Sequence, residues 1–341
     1  MLAIPGFFGS ALDPLIGVAG DTSRRGLLIF AGGLAFAVSA ALSSAATGFE
    51  TLLVALLIGN PASSAFVSLS QATLMDREPG ARERNMARWT VAGSVGYVAG
   101  PVLIAGGVAA GIGWRGVVLV LALAALPLAF ATRRAPLQAP LHAVDGSGAN
   151  RWRGFLSALR DRDVLRWLAL LEAADLLLDV FHGFLALYFV DVAGVDAVEA
   201  ALAVAVWTGA GFVGDVLLLA ILRRVSGHAY LRATALAVLL AYPAFLAVPS
   251  TTAKLALLAL LGLLNSGWYA LPKAGLYSAL PGRSGTAVAV GGIGGFVGAG
   301  VPAVLGFLAQ AFGLGLTMWV LLLAPLALVA GLPSRTTLWE R

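Results

Sequence analysis

The stretch LLIFAGGLAFAVSAALSSAA (Leu27–Ala46) runs for twenty residues without a charge, between the pair Arg24-Arg25 and Glu50. As a helix rising 1.5 Å per residue it is about 30 Å long, the thickness of the hydrocarbon core of a bilayer. Its apolar residues do not alternate with the period of 2 expected of a barrel strand. In lipid, backbone N–H and C=O groups must find partners within the segment, so the stretch reads as a membrane-spanning helix.

The same reading extends outward to eleven apolar segments: 2–20, 27–46, 51–74, 88–110, 115–132, 164–190, 197–222, 230–249, 253–279, 286–312 and 315–332. Hydrophobic residues make up 60% of the 341 and charged residues only 11%. A water-soluble domain carries about 25% charge to cover its surface, so lipid is the main solvent here. The fold class expected is an all-α membrane protein, a bundle of about eleven transmembrane helices. Residues 133–163, with Pro136, Pro140, Gly146, Ser147 and Gly148, read as a polar linker. It separates an N-terminal helical half, 1–132, from a C-terminal six-helix half, 164–341. With no cysteine, disulfide and thiolate chemistry are excluded.

The charges fix an orientation. Nineteen Arg residues fall on one set of alternating loops: 24, 25, 77, 82, 84, 88, 133, 134, 151, 153, 160, 162, 166, 223, 224, 232, 283, 335 and 341. The other set receives Arg115 and Lys254, while Lys273 is ambiguous. By the positive-inside rule the long linker and the C-terminus are cytoplasmic and Met1 is outside. The net charge of +5 is thus a topology signal, and nucleic acid is not an expected partner. The Ala, Arg and Gly bias suits a bacterial inner membrane.

The third segment, LLVALLIGNPASSAFVSLSQATLMDREPG (Leu52–Gly80), and the ninth, LALLALLGLLNSGWYALPKAGLYSALPGR (Leu255–Arg283), resemble each other. Asn60 corresponds to Asn265, and Pro79-Gly80 to Pro281-Gly282. A glycine-rich segment follows each, Ala92–Gly107 and Gly291–Gly306. Paired halves around a central site are a common transporter plan.

The loop GVAGDTSRRG (Gly17–Gly26) resembles the motif between the second and third helices of the major facilitator superfamily. Gly17, Asp21, Arg24 and Arg25 match in kind, and Thr22 stands where that motif usually has an arginine. Gly96, Gly100 and Pro101 resemble the glycine-proline motif of the family's fifth helix, typical of its exporters of the drug/proton antiporter type. The resemblance implies two pseudo-symmetric halves and a latch of Asp21, Arg24, Arg25 and Asp76 at the cytoplasmic ends of helices. It also implies that the family's first helix is absent. The N-terminal half, 1–132, is shorter by about 38 residues than the helical part of the other half, roughly 163–333, a difference of one helix and a loop. Exporters often carry an arginine four residues before a glycine in the fourth helix; before Gly59 that position is Ala55.

Glu172, Asp175, Asp179 and His182 are spaced three, four and three apart in the sixth segment, on one helix face. An ionised side chain near the bilayer centre costs about 2.5–3.5 kcal/mol at the least, so this stripe faces water or a partner. Carboxylates and a histidine in such a place suit proton or cation coupling. Asp13, beside Pro14, is a further coupling candidate, and Asp215, after Gly211 and Gly214, is an acid of open role. A substrate path is expected along Asn60, Ser64 and Gln71 of the third segment and Asn265, Trp268 and Tyr269 of the ninth. Ser and Asn also hold helices together, so a packing role stays open for these. Trp207 and Tyr188 are candidate cavity aromatics, whereas Trp89, Trp152 and Trp167 read as interface anchors.

His142, His182 and His228 lack metal-site spacing, and no phosphate-binding glycine loop carries a lysine in register. Neither an enzyme, a cofactor, a metal site nor ATP-driven transport is expected. The expectation is secondary transport by a lipid-embedded monomer, through alternating access of two halves. Proton-coupled export of small, partly apolar molecules leads. Uptake or exchange of a polar metabolite, and a non-transporting membrane protein, are the alternatives.

Overall fold

The computed structural model of the protein describes residues 3–134 and 148–333. Met1, Pro136, Pro140, Gly146, Ser147, Arg335 and Arg341, which entered the reading of linker and topology, and His142, which entered that of metal-site spacing, lie outside them. All regular structure in the described residues is helical. In chain order the helices are α1 (Ala3–Gly20), α2 (Arg25–Ala45), α3 (Phe49–Arg77), α4 (Pro79–Ala109), α5 (Gly113–Arg134), α6 (Gly148–Ala158) and α7 (Arg162–Asp191). They continue with α8 (Ala197–Ile221), α9 (Gly227–Ala247), α10 (Thr251–Leu264), α11 (Ala270–Ala279), α12 (Ser284–Phe312) and α13 (Leu314–Gly331).

Each of the eleven apolar segments is helical over most of its described residues. Nine helices are long and apolar enough to cross a membrane among the described residues, and α1 and α10 are shorter apolar helices. Three local features depart from uniform spans. Part of the stretch read as a polar linker forms α6, because Phe155 and Ala158 bury one of its faces and Trp152 packs edge-on against Phe155. Helices α3 and α7 each contain a π-turn, at Ser64–Ser68 and Leu176–Val180. The ninth segment is two helices, α10 and α11, with a turn at Asn265–Tyr269 where Gly267 takes a φ of +81°. A positive φ is strained for residues with a Cβ, so glycine is the residue that lets the helix break there.

The described residues form two compact units. The first contains residues up to Arg82, Ala99–Leu165 and Leu276–Ala299. Within it α2 packs along α5 and α3, and α1 packs along the start of α12. Gly17 and Gly285 make that last packing possible: a Cβ on either would run into the other's carbonyl oxygen. The second contains Glu83–Val98, Arg166–Gly275 and the described residues from Gly300 onward. Here α8 packs on α10 and α7, while α9 packs on α10 and α13. Its core is aromatic: Phe181 lies edge-on to Trp207, Tyr242 and Phe245, with centroids 5.1–5.7 Å away.

Candidate functional site

In the second unit the middle of α4, the middle of α7, α8 and the α10–α11 break line a cavity of about 430 Å³. That is within the usual size of small-molecule sites. Asp175, Leu178, Asp179 and His182 supply the α7 wall. The π-turn at Leu176–Val180 falls inside this run, and π-turns in α-helices recur at functional sites. Asp175 is within electrostatic reach of Asp179, Glu172 and Lys273, and Asp179 of His182. Glu172 lies one turn back, off the cavity wall and near Lys273.

Across from them, α8 contributes Trp207, Thr208, Phe212 and Asp215. Asp215 is buried; the Ser94 hydroxyl donates to its Oδ2 at 2.5 Å, and the Gly267 N–H also reaches it. The break between α10 and α11 brings Asn265, Gly267 and Tyr269 to the wall. Its other side chains turn into the interior of the unit. Trp268 donates its Nε1–H to Thr234 Oγ1 at 3.1 Å, and Ser266 Oγ lies 2.7 Å from the Tyr230 hydroxyl. Trp268 is therefore a packing residue, fully buried and off the cavity. No Lys or Arg is among the described residues that line the cavity.

Ser94, Tyr97 and Trp89 of α4 complete the wall, and sequence reasoning missed all three as site residues. The available signal was a serine and a tyrosine inside a glycine-rich run, where Ser94 and Tyr97 break an otherwise small, apolar pattern. Trp207 lines the cavity as expected of a cavity aromatic, but Tyr188 does not. It is buried, and its hydroxyl accepts from Lys254 Nζ at 2.9 Å.

The remaining candidates lie in the first unit. Asp13 packs beside Gly292, whose missing side chain makes room for it. Asn60 donates to Leu56 O at 3.0 Å, Ser64 is buried at the π-turn, and Gln71 accepts from the Tyr277 hydroxyl at 3.0 Å. Gly96, in the second unit, lines no part of the cavity, nor do Gly100 and Pro101 in the first; a Cβ on Gly96 or Gly100 would meet open space.

The latch residues assemble within the first unit, with one exception. Arg25 is 2% exposed and forks to Asp76 Oδ2 at 2.7 Å and Asp21 Oδ1 at 3.3 Å. Ser284 joins both, accepting from Arg25 at 3.0 Å and donating to Asp76 at 2.5 Å. Asp21 Oδ1 accepts the Gly285 N–H, and Oδ2 accepts the Thr286 N–H and hydroxyl. This places a carboxylate on the first turn of α12, where free N–H groups and the helix dipole favour it. Burial pushes the Asp21 carboxyl above its usual range, against the Thr286 hydroxyl, Arg25 and the two backbone N–H groups. Its charged form therefore depends on those donors. Arg24, the exception, is exposed and belongs to the surface charge.

Residues 1–302 match the family model described as Major Facilitator Superfamily. The chain is similar in fold to a single-substitution variant of the E. coli fucose:proton symporter FucP, with 16% identity, a TM-score of 0.79, and coverage of 96% of this chain and 88% of that one. A second FucP structure, in the outward conformation, gives 17% identity and a TM-score of 0.78, covering 96% and 87%. The human organic anion transporter MFSD10 (TETRAN) is similar at 21% identity and a TM-score of 0.69, covering 96% and 83%. A search of curated proteins returned no match.

Proposed function

Because the chain belongs to the major facilitator superfamily, we propose that it moves a small polar solute across the membrane by proton-coupled secondary transport, through the cavity of the second unit. The observation that carries this is one wall of α7, with Asp175, Asp179 and His182, facing the same cavity as Asp215 and Asn265. Acids grouped in a low-dielectric pocket interact strongly and take up protons one at a time. Asp175 and Asp179 are the coupling acids and His182 their neighbour. Glu172 and Lys273 adjust the local charge one turn away. Asp13 stands apart from this group, on α1. Coupling follows if the cavity's protonation state changes the preference between inward- and outward-open states. The Arg-rich loops face the cytoplasm, in a bacterial inner membrane, and the working unit is a monomer.

Carboxylates, an amide and hydroxyls in the wall favour a polar or cationic solute over an anion. That moves the weight from partly apolar molecules to a polar metabolite, the substrate class carried by the fucose:proton symporter of similar fold. A second reading, proton-driven export of an amphiphilic cation, draws on the aromatic faces of Trp89, Tyr97, Trp207, Phe212 and Tyr269 beside the acids. The resemblance of Gly96, Gly100 and Pro101 to the exporter motif points the same way.

The test is flux into proteoliposomes holding the full chain. An imposed pH gradient should drive accumulation, and Asp175→Asn or Asp179→Asn should abolish that accumulation while exchange of labelled for unlabelled solute continues. Unchanged pH-driven accumulation in both variants would reject coupling through this wall.

A further inference from the structure

Asn265 is 3% exposed and lines the cavity, yet neither its Oδ1 nor its Nδ2 has a hydrogen-bond partner among the described residues. Buried amides are ordinarily paired, and one left unpaired in a native fold calls for an explanation. The turn does not require this side chain. The Asn265 N–H bonds Leu261 O at 2.9 Å and its carbonyl accepts the Trp268 N–H at 3.1 Å, both through the backbone. The left-handed position belongs to Gly267, while Asn265 sits at a φ of −78°. The neighbouring polar side chains of the break, Ser266 and Trp268, are both satisfied inside the unit.

An amide presents a donor and an acceptor side by side. Its natural complement is a pair of adjacent hydroxyls, one donating to Oδ1 and the other accepting from Nδ2. Asp215 adds an acceptor in the same cavity, and Tyr97, Trp207 and Tyr269 add flat faces for the C–H side of a ring. We propose that Asn265 is the specificity-determining residue of the cavity and that its ligand is a neutral solute with vicinal hydroxyls, of monosaccharide or cyclic-polyol size. This rests on the reading of the cavity as the substrate site.

The experiment uses the purified full-length protein and a panel of labelled D-glucose, D-galactose, D-xylose and myo-inositol, each compared with monodeoxy analogues. Tetraphenylphosphonium serves as the amphiphilic cation. Binding is titrated for the wild type, Asn265→Ala and the near-isosteric Asn265→Asp, with monodispersity by size exclusion as the check on folding. At least one polyol should bind the wild type and be preferred over one of its deoxy forms by about tenfold or more, a difference of about 1.4 kcal/mol. In both variants that preference should fall to near unity, which loss of a merely structural residue would not produce. An unaltered preference in the variants would overturn the proposal. Binding of tetraphenylphosphonium but no polyol would also overturn it, while leaving the cavity as a transport site for a cation. Binding of none of the probes would overturn it and count against the cavity reading as well.

Discussion

Thr286 gives Asp21 two hydrogen bonds, its N–H at 2.7 Å and its hydroxyl at 2.6 Å, both to Oδ2. The other oxygen, Oδ1, is left for Gly285 and Arg25. One carboxylate thus joins the α1–α2 loop to the first turn of α12, and the guanidinium of Arg25 extends the joint to Asp76 at the end of α3. The geometry uses the planar fork of arginine, which a lysine cannot reproduce.

Arg25→Ala should therefore be strongly destabilising. It leaves Asp21 and Asp76 close together in a buried place without their cation, and breaking a buried pair on one side costs about 3–5 kcal/mol. Arg25→Lys should recover only part of that loss. Thermal unfolding of the detergent-solubilised protein measures both; a melting temperature equal to wild type in the alanine variant would contradict a stabilising latch. Arg24→Ala, on the exposed neighbour, should leave the melting temperature nearly unchanged.

Gly17→Ala should force α1 away from α12, because the new Cβ meets the Gly285 carbonyl, a backbone atom that cannot swing aside. Overpacking of this kind costs about 1–3 kcal/mol. Gly6→Ala, on the same helix with nothing within 4 Å of its added Cβ, is the control. Equal melting temperatures for the two variants would show that the α1–α12 approach is looser than the structure has it.

Ser94→Ala removes the hydroxyl that donates to Asp215 at 2.5 Å. A buried acceptor that loses its partner costs about 1–3 kcal/mol. The variant should be less stable than wild type and should transport more weakly, since the acid it holds lines the cavity. Thr208→Ala is the comparison. Thr208 also lines the cavity, but its hydroxyl bonds Val204 O within its own helix, so that variant should lose less in both assays. Ranking the two the other way round would argue against a structural tie between α4 and α8.

Lys254 is buried, with Nζ donating to Tyr188 Oη at 2.9 Å, Phe245 O at 2.8 Å and Leu246 O at 3.3 Å. It caps the last carbonyls of α9, which have no intrahelical partner, and lies 5.2 Å from the ring centroids of Tyr188 and Phe245. Lys254→Met keeps the bulk and drops the donors. Hydrogen exchange should speed up at the end of α9 and in the connection to α10, with little change in α7 beyond Tyr188. Unchanged exchange there would mean that solvent replaces the ammonium at no cost.

The apolar spans were legible because each is a local matter: a run of apolar residues of the right length has one solution in lipid. The run of Glu172, Asp175, Asp179 and His182 was visible as a spacing along one segment; of the four, Asp175, Asp179 and His182 line the cavity and Glu172 does not, and the π-turn at Leu176–Val180 left no mark in that spacing. The motif reading reached Asp21, Arg25 and Asp76, but not Ser284 and Thr286, which lie more than 200 positions later in the chain. The ninth segment read as one apolar span, although Gly267 in its middle was the residue able to break it.

Sequence by itself determined that this chain is built of apolar spans suited to lipid and where most of them lie, though not α6, the start of α4 at Pro79 or the break between α10 and α11, and it put Asp175, Asp179 and His182 on one segment. Those features depend on composition and on the 3.6-residue period, both of which are properties of a single segment. Tertiary structure alone decided that Ser94 would hold Asp215, 121 positions away, and that Trp268 would turn inward to Thr234 while Asn265 was left at the cavity wall. Hydrogen bonds between distant positions leave no periodic trace in the chain. Which polar residue finds a partner and which keeps its amide free is settled only when the helices pack.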